Sequence, residues 1–132
     1  MSFKNEEFLE LVYLDTDGAS GNSGKSADDP KPITSTDSLI PLPAGTVVEH
    51  VDVVITAALS GVTEMELGDG TDDNGFAASG DITYGTAGAY RGAGAYISGA
   101  NKYYATADYM DLDVVGTASS GTCVLRVKGY RL

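Results

Sequence analysis

Residues 46–57 read Thr-Val-Val-Glu-His-Val-Asp-Val-Val-Ile-Thr-Ala, a run dense in β-branched side chains. Alternate positions fall on one face of an extended chain, namely Val47, Glu49, Val51, Val53 and Ile55. Such side chains fit a pleated strand, and Pro41, Pro43 and Gly45 just upstream oppose a helix that starts before the run. The run therefore predicts a long strand.

The residues that follow predict a shorter strand that returns beside the first. Residues 63–67 alternate apolar and acidic positions and end at Gly68-Asp69-Gly70, a common turn composition. Residues 52–68 therefore predict a hairpin that bends near Leu59-Ser60-Gly61.

The last part of the chain predicts a second hairpin. Residues 110–115 and 122–130 both alternate apolar with charged positions, so they predict an antiparallel pair joined by residues 116–121. Residues 79–109 are mostly Gly, Ala, Ser, Thr and Tyr, which favours loops and edge strands. Short strands are predicted there at Ile82–Tyr84, Tyr90 and Tyr96–Ile97.

The N-terminal segment allows two interpretations. Leu9, Leu11 and Tyr13 alternate with other residues as in a strand, whereas Asn5 before two glutamates could cap a short helix. An extended arm that leads into a strand is favoured. Residues 15–32 are small, polar and rich in turn formers, which predicts a mobile loop or a segment laid against a partner. We therefore divide the chain into an arm and flexible loop, residues 1–32, and a β-sandwich domain, residues 33–132.

About eight short strands and no long helix predict an all-β fold, an antiparallel β-sandwich of the jelly-roll type with an extended N-terminal arm. Periodicity alone does not separate a jelly roll from an immunoglobulin-like sandwich.

Composition excludes several classes of function. The 132 residues carry 8 Lys and Arg against 19 Asp and Glu, a net charge of −11. This charge repels nucleic-acid phosphates and anionic lipids, so neither nucleic acid nor membrane is expected as a partner. One Cys and one His allow neither an internal disulfide nor a Cys/His zinc site.

No motif predicts a metal, cofactor or catalytic site. Asp69, Thr71 and Asp73 have the spacing of calcium ligands, but Asn74 replaces the required glycine and Gly80 the required acid. A polar turn is therefore the preferred interpretation. His50 lies near Asp52 without a marked nucleophile, and Cys123 lies on an apolar strand face. We expect no enzyme activity and no cofactor.

The remaining candidates are contact residues. Tyrosines combine an apolar ring with a polar tip and are frequent at interfaces, and the few cations of this acidic chain could dock an acidic neighbour or a second copy. Solvated strand faces and ordinary packing are the alternatives. The candidate interface residues are Tyr84, Tyr90, Arg91, Tyr96, Tyr103, Tyr104, Arg126, Lys128 and Arg131.

Three stretches resemble small β-sandwich structural proteins of tailed-bacteriophage virions. Residues 45–61 match their long valine-rich strand, and residues 65–76 match a strand that ends in Gly-Asp-Gly and a polar turn closing on Gly-Phe. Residues 121–130 are similar to their last strand.

The resemblance implies a capsid decoration protein, also called a cement or auxiliary head protein. It implies a jelly-roll homotrimer on the capsid exterior, assembled in the host cytoplasm, whose partner is the major capsid protein. It transfers no catalytic residues. The alternative is a tail, baseplate or head-fibre adhesin that binds host glycans through the Tyr-rich loops.

Overall fold

A computed structural model of the chain describes residues 6–15, 31, 32 and 37–132. The described residues form seven strands and one 3₁₀ turn at Ser79–Asp81, with no α-helix among them. The strands are β1 (Glu6–Asp15), β2 (Lys31–Pro32), β3 (Asp37–Leu42), β4 (Thr46–Gly68), β5 (Gly88–Arg91), β6 (Lys102–Tyr104) and β7 (Asp108–Arg131).

The two long strands, β4 and β7, form the centre of one sheet with the strand order β2-β1-β7-β4-β5. They pair antiparallel along nearly their whole length. β1 extends the sheet beside the end of β7, and β3 pairs with the start of β7. β5 and β6 pair with the first half of β4, and the short β1–β2 contact is the parallel one.

Both ends of this sheet contribute to a single hydrophobic core. Val53 and Leu125 lie at one end, Met65 and Met110 at the other, and all four belong to one buried cluster. Because the inner faces of both ends contact the same core, the sheet curls into two layers. The predicted all-β antiparallel sandwich is thus confirmed, with seven named strands.

Both predicted hairpins are wrong, because β4 and β7 each continue through the segment that was expected to reverse. Residues 52–68 all lie within β4, and its register with β7 shifts repeatedly between Ile55 and Glu64. Gly61, Gly116 and Gly121 have positive φ there, a conformation that glycine adopts at little cost. The glycines therefore bend the paired strands together, and each half of β4 keeps pairing with the matching half of β7.

The Gly-rich segment contains fewer strands than predicted. Tyr90 lies in β5, as expected, but Ile82–Tyr84 and Tyr96–Ile97 form no strand. Ile82 instead buries its side chain in the core directly after the 3₁₀ turn, so it anchors a loop.

The predicted N-terminal strand is confirmed as β1. It pairs with β7 from Glu6 to Asp15, and Val12 and Leu14 face the core. Most of the predicted polar loop, residues 16–30, lies outside the described residues. The division of the chain at residue 32 stays a prediction.

None of the helical segments within the described ranges has the length and hydropathy that a membrane crossing requires.

Candidate interaction surface

Strand register brings a mixed basic and apolar surface together on the outside of one end of the sheet. Directly opposed residues of antiparallel strands share a face. Leu9 is opposite Lys128, which is opposite His50, and in the next row Leu11, Arg126, Asp52 and Arg91 follow one another across four strands. We call this surface the basic face; its residues are Leu9, Leu11, Tyr13, His50, Asp52, Arg91, Arg126 and Lys128. Glu7 joins several of them in lining a shallow depression.

The cationic side chains of the basic face differ in whether a neighbouring side chain of the same chain pairs with them. The Arg91 guanidinium forms an ion pair with Asp52 and donates a hydrogen bond to His50 Nδ1 at 3.1 Å. Arg126 and Lys128 are exposed, and within the described part of the chain neither forms an ion pair. These two charges are therefore the ones available to an acidic partner.

An apolar strip borders these cations on β1. Leu9, Leu11 and Tyr13 are 53%, 37% and 44% exposed, whereas Val12 and Leu14 on the opposite side of the strand are buried. Three large apolar side chains in a row on one exposed strand face are typical of a contact surface.

The outer face of the other end of the sheet is acidic. Glu66 is opposite Asp113, Gly68 is opposite Asp111, and Glu64 is opposite Val115. We call this surface the acidic face; its residues are Glu64, Glu66, Asp73, Tyr109, Asp111, Asp113 and Val115. Tyr109 and Val115 are 54% and 49% exposed, so this face also carries apolar area.

Carboxylates crowd together on the acidic face. Glu66, Asp73 and Asp113 place carboxyl oxygens within 4.8 Å of one another, and these three residues could hold a hard cation. Burial, a hydrogen bond with Glu64 and repulsion from the surrounding carboxylates raise the pKa of Glu66 above its ordinary value.

Asp69, a candidate calcium ligand in the sequence, is instead a buried acceptor inside the fold. Its carboxylate accepts hydrogen bonds from the hydroxyls of Tyr96 (3.0 Å) and Tyr104 (2.7 Å) and from the backbone N–H groups of Thr71 and Asp72 (both 2.9 Å). These contacts form the polar turn that the sequence favoured.

The same contacts determine the charge state of Asp69. Burial alone would raise the pKa of this carboxyl, but the hydrogen bonds from Tyr104, Asp72, Thr71 and Tyr96 outweigh it and the pKa is lowered. Burial and the neighbouring carboxylate raise the pKa of Tyr96 to about 12, and they raise the pKa of Tyr104 further. Asp69 is therefore a charged anchor, and both tyrosines stay protonated.

The structure brings three of the predicted contact residues together and separates the rest. Arg91, Arg126 and Lys128 share the basic face. Arg131 lies at the end of β7 with its guanidinium 4.8 Å from the centroid of the Phe8 ring.

The predicted tyrosines are distributed between surface and interior. Tyr103 is 53% exposed on β6, whereas Tyr104 is buried beside it. Tyr84 and Tyr90 are half-buried and donate hydrogen bonds to the carbonyls of Thr63 and Thr86.

The sequence pattern alone does not place Leu9, Leu11 and Tyr13 at a contact surface. Their alternation signals a strand, but only the pairing with β7 shows that this side of the strand faces outward beside the cations.

The two residues considered for catalysis lie apart from each other. His50 is exposed on the basic face, and Cys123 is buried in the core, where burial raises the pKa of its thiol to about 12. The expectation that Cys123 lies on the apolar face of its strand is confirmed.

No protein-family model matches the chain, and no curated protein matches it in sequence. Two solved structures match it in fold. A chain of the cyanophage Pam1 capsid asymmetric unit has a TM-score of 0.63 and 13% identity, over 100% of this chain and 89% of that one. A chain of the acidic stable capsid structure of Helicobacter pylori bacteriophage KHP30 has a TM-score of 0.64 and 14% identity, over 98% of this chain and 92% of that one. The protein thus shares its whole fold with chains from two phage capsid structures.

Proposed function

We propose that the protein is a structural component of a phage virion that decorates the capsid exterior and bridges capsid subunits as a homotrimer, without catalysis. The observation that carries this proposal is the end-to-end fold likeness to two capsid chains. The likeness covers 100% and 98% of this chain and 89% and 92% of the two capsid chains.

The charge distribution supports a location on the exterior of the capsid. A net charge of −11 opposes close contact with packaged DNA, which is itself a polyanion. On the outer surface of a shell the same charge keeps the exposed part of the protein soluble. Contacts repeated over many symmetric copies gain strength by avidity.

A glycan-binding adhesin receives less support. A sugar platform needs accessible aromatic rings, yet Tyr104 is buried and Tyr96 is hydrogen-bonded to Asp69. Of the paired tyrosines on β6, Tyr103 is the one whose ring is exposed.

Reconstitution on particles tests the proposed function. Capsids of the encoding phage produced without this protein are mixed with the purified chain, sedimented, and examined by electron microscopy and thermal melting. We expect saturable binding, new density on the outer surface at subunit junctions, and a higher capsid melting temperature. Bovine serum albumin, also an acidic protein, serves as the negative control. Absence of binding, or density on the inner surface, would contradict the proposal.

A further inference from the structure

The basic and acidic faces are separate surfaces of the molecule. Each is the outer side of one end of the sheet, and the inner sides of both ends contact the same core cluster. The outer faces therefore point away from that core in different directions. The long strands β4 and β7 connect them, which fixes their relative position.

We propose that the basic face of one copy binds the acidic face of a second copy, head to tail. Arg126 and Lys128 on one copy would meet carboxylates such as Glu66 and Asp113 on the next. This proposal concerns self-association and stands independently of capsid binding.

Charge complementarity supports a second copy as the partner. Arg91, Arg126 and Lys128 are three of only eight Lys and Arg residues in the chain, and all three lie on one face. The acidic face, by contrast, contains five carboxylates and no Lys or Arg among the described residues that form it. Juxtaposed like faces would repel, so the head-to-tail arrangement is the favourable one.

Exposed apolar side chains are also present on both faces. Seven large hydrophobic residues of the described chain are exposed, and five of them belong to the two faces: Leu9, Leu11, Tyr13, Tyr109 and Val115. Aromatic and aliphatic area beside charges is the usual composition of a protein interface. Each face can thus bury apolar surface while its charges select the partner.

A head-to-tail contact uses two different surfaces, so it is heterologous and repeats from copy to copy. Such contacts close into a ring when the rotation between copies permits and otherwise continue as a filament. A three-membered ring would satisfy the homotrimer of the proposed function.

A charge-swap experiment tests the contact. One double variant, Arg126→Glu/Lys128→Glu, reverses the basic face, and another, Glu66→Lys/Asp113→Lys, reverses the acidic face. We expect sedimentation velocity to detect oligomers of the wild-type protein at about 0.05 M NaCl. At about 0.5 M NaCl, where salt screens the charges more strongly, the association constant should be about tenfold lower. Each variant alone should be monomeric. Mixed in equal amounts, the two should form mixed dimers and alternating chains, because both kinds of contact between unlike variants bring opposite charges together, whereas a closed three-membered ring would retain one contact between like variants.

Two controls separate the loss of the interface from misfolding and from the change in net charge. Thermal unfolding of each variant shows whether it is folded. Ser98→Glu/Asn101→Glu, in the exposed loop before β6, lowers the net charge by the same two units as Arg126→Gln/Lys128→Gln. We expect the loop variant to keep the wild-type oligomers and the basic-face variant to lose them.

The outcomes distinguish this inference from the proposed function. A folded wild-type protein that stays monomeric at low salt overturns the inference, as does failure of two folded variants to associate when mixed. Capsid binding by a monomeric chain, abolished by Arg126→Glu/Lys128→Glu, would overturn this inference and the proposed homotrimer, assign the basic face to the capsid, and leave the capsid-binding part of the proposed function standing. Self-association without capsid binding would support the head-to-tail contact and contradict the proposed function.

Discussion

At the scale of single residues, the carboxylate of Asp69 connects parts of the chain that lie far apart in sequence. It accepts hydrogen bonds from its own turn and from Tyr96 and Tyr104, which follow β5. The rings of Phe76 and Tyr96 pack in a T-shaped arrangement with their centroids 5.3 Å apart. One buried charge therefore positions the Gly-rich segment, where few large side chains are available to do so.

Replacing Asp69 with asparagine should destabilise the protein by about 2 kcal/mol, because buried hydrogen bonds to a charged acceptor are lost or left unmatched. Urea unfolding at pH 7 measures this loss. Thr71→Ala, also in the exposed part of this turn, keeps the backbone N–H that donates to Asp69; it is the control and should change the free energy of unfolding by less than about 0.5 kcal/mol. Equal effects of the two substitutions would contradict the anchoring role.

Acid should remove the contribution of Asp69. Its pKa in the folded state lies below the ordinary value of 3.8, so its stabilisation is present above that value and is lost as the pH falls through the lowered folded pKa. The stability difference between wild type and Asp69→Asn should therefore shrink in strong acid. A difference independent of pH would show that the charge of Asp69 is not involved.

The contribution of Glu66 to stability should depend on pH in the opposite direction. Its folded pKa is raised above 4.5, so protonation favours the folded state, and this stabilisation is lost as the pH rises through the folded pKa. Glu66→Gln should consequently raise the melting temperature at pH 7, and the gain should disappear below pH 4.5. Melting curves across this range test it, and a lower melting temperature at pH 7 would refute it.

At the scale of elements, the alternating strands were predictable and their continuity was not. Val51, Val53 and Ile55 face the core as their spacing indicates, because period-two burial is a local property. Residues 116–121 have the composition of a hairpin loop, yet they bend β7 without reversing it. The choice depends on pairing with β4, a long-range contact that local composition does not encode.

Gly121 and Gly99 test the importance of this bend. Both have positive φ, but a Cβ on Gly121 would lie 2.4 Å from the carbonyl oxygen of Ala58, whereas Gly99 has open space. Gly99→Ala should cost about 1 kcal/mol for its backbone conformation alone. Gly121→Ala should cost distinctly more, because β4 must also shift. Urea unfolding compares them, and equal losses would mean that the close approach of the strands is unimportant.

At the scale of the whole molecule, the cationic surface was only partly visible in the sequence. Arg126 and Lys128 share a face because they are two residues apart on one strand. Arg91 and the apolar strip on β1 join them through register across β4 and β7, which no local pattern specifies. The acidic face likewise assembles from β4, β7 and the turn at Asp73.

The shared strands predict that the two ends of the sheet unfold together. Leu125→Ala at one end and Met110→Ala at the other, both fully buried, should each cost about 2–5 kcal/mol. Each should shift one and the same transition, seen identically by far-UV circular dichroism and tyrosine fluorescence. Two separate transitions in either variant would contradict a single cooperative unit.

Cys123 gives this cooperative unit a natural reporter. The side chain is 1% exposed on β7, opposite Ile55, and burial keeps it in the unreactive thiol form. An alkylating reagent can reach the sulfur only while the strands are separated. The labelling rate therefore reports how often the native protein opens locally at this site. If the rate is measured in free chains and in assembled particles, the difference would show how far contacts with neighbouring copies suppress the local opening of β4 and β7.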